Sequence, residues 1–145
     1  MIALDTNILV QAHRTELEHH TQARRLLRSL AEGSDPWAIP WPCIYELIRV
    51  VTHPRVFAPP SRLDLLLEDL SSLFTARSLT LLGNGPGHAG HMYHMLRTGE
   101  AHGNLAFDAQ IAALVREHGV SELWTLDRDF ARFSRIRAVN PFADG

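Results

Sequence analysis

The chain of 145 residues contains no lysine, because all 14 of its basic side chains are arginine. Schiff-base catalysis, the Walker phosphate loop and the receiver-type phosphorylation switch each place a lysine ammonium at the reacting group. The sequence therefore excludes these three kinds of site, whatever fold the chain adopts.

Excess positive charge, disulfide pairs and long apolar runs are also missing. The 14 arginines face 16 acidic residues, for a formal net charge of −2, so charge alone cannot hold nucleic acid. The single cysteine, Cys43, cannot form a disulfide within the chain. No apolar run approaches the roughly 20 residues of a membrane span, and the N-terminal residues do not form a secretion signal. We expect a protein of the reducing cytoplasm.

Short apolar stretches alternate with longer segments of helical periodicity. Strands are predicted at residues 1–4, 37–39, 78–82, 122–126 and 136–139. Helices are predicted at residues 8–12, 18–32, 42–52, 62–73 with Ser61 as the cap, 88–97, 104–118 and 128–133. This order predicts a three-layer α/β/α fold with a central, mostly parallel sheet of four to five strands, in one domain over residues 1–145.

Acidic residues follow two of the predicted strands directly. Asp5 ends the first strand, Asp127 follows the fourth, and Asp129 lies two residues further on. Each of them, taken singly, is typical of a helix cap or a turn. In an open parallel sheet, however, ligands bind beyond the carboxyl ends of the strands. Two acids at that edge repel each other unless a proton or a cation intervenes, and such oxygen-rich clusters suit Mg²⁺ or Mn²⁺.

Two further acids lie on predicted helices. Asp108 borders an apolar stripe that includes Phe107, Ile111 and Leu114, so its carboxylate should be partly desolvated. Small residues surround it, which suits a ligand site and a tightly packed helix equally: Ala106, Ala109, Ala112 and Ala113. Glu46 lies nearly opposite the apolar stripe of its own helix, and periodicity alone indicates a solvated side chain there.

Together, the acidic positions and their flanking residues resemble the PIN-domain ribonucleases of the VapC toxin family, from type II toxin–antitoxin systems. The resemblance covers nearly the whole chain and is carried by Asp5-Thr6-Asn7, by residues 46–57, by residues 104–109 and by Thr125-Leu126-Asp127-Arg128-Asp129-Phe130. The segment from Gly83 to Gly103, rich in glycine and histidine, departs from the family pattern and reads as an insertion.

The resemblance implies a site and partners. It implies a catalytic quartet that binds Mg²⁺ or Mn²⁺, with Asp129 as a fifth ligand or a helix cap: Asp5, Glu46, Asp108 and Asp127. Short polar side chains are expected to hydrogen-bond these carboxylates: Thr6, Asn7, Asn104 and Thr125. Three arginines are expected to contact RNA, with surface ion pairs as the alternative: Arg49, Arg55 and Arg128. The family also implies an RNA substrate, a VapB-type antitoxin and a homodimer.

The sequence is also compatible with two other functions. One is a PIN-type nuclease that processes RNA or cuts DNA. The other is a PIN scaffold that binds metal without cleaving nucleic acid. Loss of RNA cleavage with intact metal affinity would favour the second.

Overall fold

A computed structural model describes residues 1–143 and contains a five-stranded sheet. The strands are β1 (Ile2–Leu4), β2 (Trp37–Pro40), β3 (Leu79–Leu82), β4 (Glu122–Trp124) and β5 (Ala138–Val139). They lie in the order β3-β2-β1-β4-β5, and every neighbouring pair is parallel. The carboxyl ends of all five strands therefore lie along one side of the sheet, its carboxyl edge.

Helices connect the strands. They are α1 (Thr6–His13), α2 (His20–Glu32), α3 (Trp41–Val51), α4 (Leu63–Leu73), α5 (His88–Thr98), α6 (Leu105–Glu117) and a 3₁₀ helix (Arg128–Arg132). The crossovers from β1 to β2 and from β2 to β3 run one way across the sheet, and the crossover from β3 to β4 runs back. Right-handed connections then place α1 to α4 on one face and α5 and α6 on the other. The predicted three-layer α/β fold is confirmed.

The core lies on both faces of the sheet. Leu4, Trp37, Ile39 and Leu123 are completely buried, and the indole N–H of Trp37 donates to Ser78 Oγ at 2.9 Å, so its polar atom is satisfied. Helix α6 packs closely through completely buried small residues: Ala109, Ala112 and Ala113. These three alanines fit the tightly packed helix, whereas Ala106 is exposed.

The segment from Gly83 to Gly103 belongs to these layers and is not an appendage. Its helix α5 packs along α6, and Met95 is buried in the core. At the end of α5 the chain passes against the 3₁₀-helix region so closely that a Cβ on Gly99 would lie 2.4 Å from the Phe133 ring. Only glycine fits at that crossing.

Several predicted details are wrong. Ser61 does not cap a helix, because α4 begins at Leu63 and the Ser61 hydroxyl lies 2.8 Å from His13 Nε2. Phe107 is not a core residue, since the first turn of α6 lies at the edge of the sheet and leaves this ring 65% exposed. Predicted element ends also shift by up to two residues.

The predicted domain 1–145 includes residues 144–145, which lie outside the described residues. None of the helices within residues 1–143 has the length and apolar content needed to span a membrane.

Candidate metal centre

The carboxyl edge of the sheet brings the predicted acids together. Asp5 follows β1 and Asp127 follows the neighbouring strand β4, while Glu46 approaches on α3 and Asp108 on α6. The four side chains share a pocket of about 240 Å³, which is lined by Asp5, Thr6, Asn7, Val10, Gln11, Glu46, Val50, Asp108 and Asp127. Residues separated by as many as 122 positions in the chain therefore meet at one site.

Asp5 is the buried member of the site, with 4% of its surface exposed. Its Oδ1 accepts a hydrogen bond from the Thr6 N–H at 2.7 Å, and its Oδ2 accepts one from the Thr125 hydroxyl at 2.7 Å. The Cys43 thiol contacts Oδ1 at 3.6 Å. Burial raises the pKa of Asp5, while the hydrogen bonds from Thr125 and Thr6 oppose that rise. The side chain also caps α1, which fixes its direction.

Thr125 and Asn7 join the two strand ends. The Thr125 hydroxyl accepts hydrogen bonds from the Asp127 N–H at 3.0 Å and from Asn7 Nδ2 at 3.2 Å, in addition to donating to Asp5. Asn7 Oδ1 in turn accepts from the Leu126 N–H at 3.1 Å. This network holds the loops after β1 and β4 in register, and so it sets where the two carboxylates lie.

A second group of acids is open and crowded. Single oxygens of Asp108, Asp127 and Asp129 all lie within 4.8 Å of one another. Asp127 accepts from the Asp129 N–H at 2.8 Å and caps the 3₁₀ helix. Burial, followed by the charges of Asp127 and Asp5, raises the pKa of Asp108 to about 6. Burial and the neighbouring carboxylates thus disfavour the charged form of Asp108, an effect that a bound cation would oppose.

Glu46 faces the pocket although helical periodicity placed it opposite the core. Glu46 and Val50, one helical turn apart on α3, both line the pocket, so this flank of the helix faces the site. The Thr6 hydroxyl donates to Glu46 Oε2 at 3.2 Å, and Arg49 lies 3.6 Å from Oε1. The side chain is 40% exposed, consistent with a partly solvated position.

The remaining three predicted residues are absent from the pocket lining: Asn104, Arg55 and Arg128. The predicted hydrogen bond from Asn104 to a carboxylate is wrong: Asn104 precedes α6, is exposed, and makes no side-chain hydrogen bond to another described residue. Arg55 and Arg128 are exposed, and Arg128 lies between the two acids of the 3₁₀-helix turn. The sequence reasoning missed Gln11, one helical turn after Asn7, which lines the pocket and accepts from the His19 N–H at 2.9 Å. Its spacing of four from Asn7 was the available signal.

The donor set suits a hard divalent cation. Every charged side chain among the pocket-lining residues is a carboxylate, and oxygen ligands are those that Mg²⁺ and Mn²⁺ prefer. This fold and site together define a class of protein. It is an α/β protein with a cluster of acidic side chains beyond the carboxyl ends of neighbouring parallel strands.

Comparison with known proteins identifies the family. The family model described as the PIN domain matches residues 2–136, and the chain therefore belongs to the PIN-domain family. It is 35% identical to the VapC ribonuclease Mb2897 of Mycobacterium bovis, over 97% of this chain and 95% of that protein. The predicted family membership is confirmed.

Solved structures share the fold. FitAcB from Neisseria gonorrhoeae has a TM-score of 0.69 at 20% identity, with 98% of this chain and 99% of that chain covered. VapBC2 from Rickettsia felis, solved bound to a DNA fragment from their promoter, has a TM-score of 0.67 at 19% identity, with coverages of 96% and 98%. At these identities the likeness concerns the fold alone.

Proposed function

We propose that the protein is a divalent-metal-dependent endoribonuclease and the toxin of a VapBC-type toxin–antitoxin pair. The observation that carries the proposal is the convergence of Asp5, Glu46, Asp108 and Asp127 on one pocket at the carboxyl edge of the sheet. The curated relative of 35% identity is named a VapC ribonuclease, and it aligns over nearly the full length of both chains. The cytoplasm is the compartment proposed for this activity.

The acidic residues fit Mg²⁺ or Mn²⁺ by their chemistry. Asp108, Asp127 and Asp129 have oxygens close enough to share one ion, and burial together with the neighbouring carboxylates raises the pKa of Asp108. Asp5, Asp108 and Asp127 would hold the ion, with Glu46 and Asp129 as further ligands, directly or through water. When bound, such an ion neutralises phosphodiester charge and lowers the pKa of water, which makes hydroxide available near neutral pH.

The chain's own groups would position the reactants. Thr6 and Thr125 fix the carboxylates of Glu46 and Asp5 by hydrogen bonds, so neither needs to reorganise when substrate arrives. Glu46 lies at the outer side of the pocket, where its free lone pairs can orient the attacking water and accept its proton. Exposed guanidinium groups would bind phosphates or stack on bases: Arg49, Arg55 and Arg128.

A VapB-type antitoxin and a second copy of the chain are the proposed protein partners. Support comes from the VapBC2 structure of Rickettsia felis, which has this fold. Copurification of the protein with the product of a small neighbouring reading frame, followed by mass measurement of the complex, tests both partners.

The activity itself is tested with purified protein and total cellular RNA. Cleavage should require Mg²⁺ or Mn²⁺, stop in chelator, and fall about a hundredfold or more in Asp108→Asn. Asp35→Asn is the matched control, because it makes the same Asp-to-Asn change at an exposed residue that follows α2 at the opposite edge of the sheet. Mapping the cut ends identifies the RNA. Full cleavage by Asp108→Asn, or in chelator, would exclude this proposal.

A further inference from the structure

Gln11 is a polar residue of the pocket lining whose hydrogen bonds do not involve the carboxylates. It lies on α1 one helical turn after Asn7, which lines the same pocket. The His19 N–H donates to Gln11 Oε1 at 2.9 Å, and His20 Nδ1 donates to the backbone carbonyl oxygen of Gln11 at 2.9 Å. Two consecutive residues at the start of α2 thus hold Gln11 by its side chain and by its backbone.

The bond from His19 determines which end of the Gln11 amide is free. A backbone N–H can only donate, so the side-chain atom that it contacts is the amide oxygen. The amide NH₂ group keeps both of its hydrogens, because Nε2 makes no hydrogen bond to another residue within 1–143. Nε2 is also open to solvent, since His19 Nδ1 is the only buried side-chain nitrogen or oxygen without a partner in that range. A pocket-lining side chain therefore offers a free, accessible donor.

The other hydrogen-bond donors among the pocket-lining side chains are already used. The Thr6 hydroxyl donates to Glu46 Oε2 at 3.2 Å. The two hydrogens of the Asn7 amide go to a carboxylate oxygen at 3.4 Å and to a hydroxyl oxygen at 3.2 Å, just after β1 and β4. Every charged side chain of the lining is a carboxylate. Among the pocket-lining side chains of the described part of the chain, Gln11 thus carries the only free N–H donor.

A free donor among carboxylates suits a ligand with anionic oxygen atoms. Side-chain amides are among the groups that hydrogen-bond phosphate oxygens in complexes with nucleic acid. A neutral amide can do so without adding a positive charge that would compete with a cation for the acidic residues. Because His19 and His20 already hold Gln11, the side chain loses little conformational freedom when the ligand arrives.

We propose that Gln11 binds the RNA phosphate in the acidic pocket, with Nε2 donating a hydrogen bond to a nonbridging phosphate oxygen. The proposal rests on the proposed ribonuclease function and adds to it a substrate-binding residue outside the acidic quartet. His19 and His20 are positioning residues, which act through Gln11. Gln11 itself holds the phosphate and neither gives nor takes a proton in the cleavage.

The variants separate the free donor of Gln11 from its structural hydrogen bonds. Gln11→Glu keeps an oxygen that accepts from the His19 N–H and replaces the NH₂ group with a second carboxylate oxygen. Gln11→Met keeps the length of the side chain and removes both polar ends. Gln22→Glu makes the same Gln-to-Glu change at an exposed residue of α2 and is the matched control. His20→Ala removes the bond to the Gln11 backbone and leaves the amide in place, so it tests the start of α2 alone.

RNA binding is measured by the anisotropy of a fluorescein-labelled single-stranded RNA 20-mer with saturating Ca²⁺. Ca²⁺ takes oxygen ligands but is larger than Mg²⁺, so it polarises bound water less and should leave the RNA intact. Gln11→Met should weaken binding about tenfold, through loss of one hydrogen bond to a charged group. Gln11→Glu should weaken it about a hundredfold, because a repelling charge replaces the donor. Gln22→Glu and His20→Ala should bind like the wild type.

Cleavage kinetics and metal affinity complete the test. With Mn²⁺, Gln11→Met should raise KM about tenfold and leave kcat near the wild-type value. Calorimetric titration should give an unchanged affinity for Mn²⁺, because the amide holds the phosphate and not the ion. Wild-type RNA affinity in Gln11→Met or Gln11→Glu would overturn the inference. So would an equal loss of RNA affinity in His20→Ala, since Gln11 would then act only by ordering the start of α2.

The proposed function and this inference fail differently. A wild-type protein that cleaves no RNA with any divalent cation contradicts the proposed function, whatever the Gln11 variants bind. A wild-type protein that cleaves RNA, together with Gln11 variants that bind and cleave it equally well, contradicts only the phosphate contact of Gln11.

Discussion

The two sides of the acidic pocket hold their carboxylates in opposite ways. On the β1 side, Asp5 is buried and receives hydrogen bonds from the Thr6 N–H and the Thr125 hydroxyl. On the α6 side, oxygens of Asp108, Asp127 and Asp129 crowd within 4.8 Å of one another, and the pKa of Asp108 rises to about 6. One side is fixed by the fold, and the other keeps a repulsion that a cation would relieve. The Asp5 side thus supplies a preorganised carboxylate, and the Asp108 side supplies the repulsion that cation binding would relieve.

Removing the Thr125 hydroxyl should disorder the Asp5 side of the pocket. We expect this change to have the largest effect on metal affinity and stability. Thr125→Val keeps the shape of the side chain but leaves Asp5 Oδ2, Asn7 Nδ2 and the Asp127 N–H each short of a partner. We expect metal affinity to fall about 10- to 100-fold and the free energy of unfolding to fall by about 2 kcal/mol. Calorimetric titration with Mn²⁺ and thermal unfolding measure the two effects.

The control for this variant is an exposed threonine on a strand. Thr80→Val on β3 makes the same chemical change away from the site and should alter stability by less than about 0.5 kcal/mol. If both valine variants behave alike, the hydrogen bonds of Thr125 do not organise the site, and the contrast between its two sides disappears.

The pH dependence of metal affinity should sharpen the description of the open side. Asp108 must lose its proton to bind a cation, and its pKa of about 6 lies well above the ordinary value of 3.8. Metal affinity should therefore be nearly constant above pH 7 and fall about tenfold for each pH unit below 6. Titrations with Mn²⁺ at pH 5, 6, 7 and 8 test this. Constant affinity from pH 5 to 8 would mean that Asp108 is already ionised and paired without the metal.

The same carboxylate should destabilise the protein when no metal is bound. Since the folded pKa of Asp108 is raised, the folded state holds the proton more tightly than the unfolded state, and stability is lost as the pH rises from about 4 through 6. Water screens this partly exposed group, so we expect Asp108→Asn to stabilise the metal-free protein at pH 7.5 by only about 1 kcal/mol, or about 2–4 °C in Tm. Asp35→Asn should leave Tm unchanged. A lower Tm in Asp108→Asn would reverse the assignment.

Much of this arrangement could be predicted from the sequence because parallel strands end together. Asp5 and Asp127 each follow an apolar stretch, so the α/β alternation alone placed them at one edge, and the border position of Asp108 predicted its partial desolvation. That reasoning depends on local periodicity and a simple topology, and both hold in this fold.

Two of the failures, at Glu46 and Phe107, share one physical cause, which is that periodicity describes a helix and not where the helix lies. Glu46 is nearly opposite the core stripe of α3 and still lines the pocket, because α1 and α6 also contact α3 and bring their own polar residues to it. Phe107 is on the core stripe of α6 and is exposed because its turn lies at that edge. Only the family resemblance placed Glu46 at the site, and the periodic pattern gave no signal for the exposure of Phe107.

The smallest expected effect concerns the arginine beside the open mouth of the pocket. Arg49 is 65% exposed and lies 3.6 Å from Glu46, a geometry in which an ion pair adds little stability. Arg49→Ala should therefore leave Tm within about 1 °C and leave metal affinity unchanged, while weakening RNA binding about threefold through loss of one guanidinium contact. Arg25→Ala removes an exposed arginine from α2 and is the control. Equal RNA affinity in the two variants would show that Arg49 pairs only with Glu46, and a clear fall in Tm would show that the pair supports the fold.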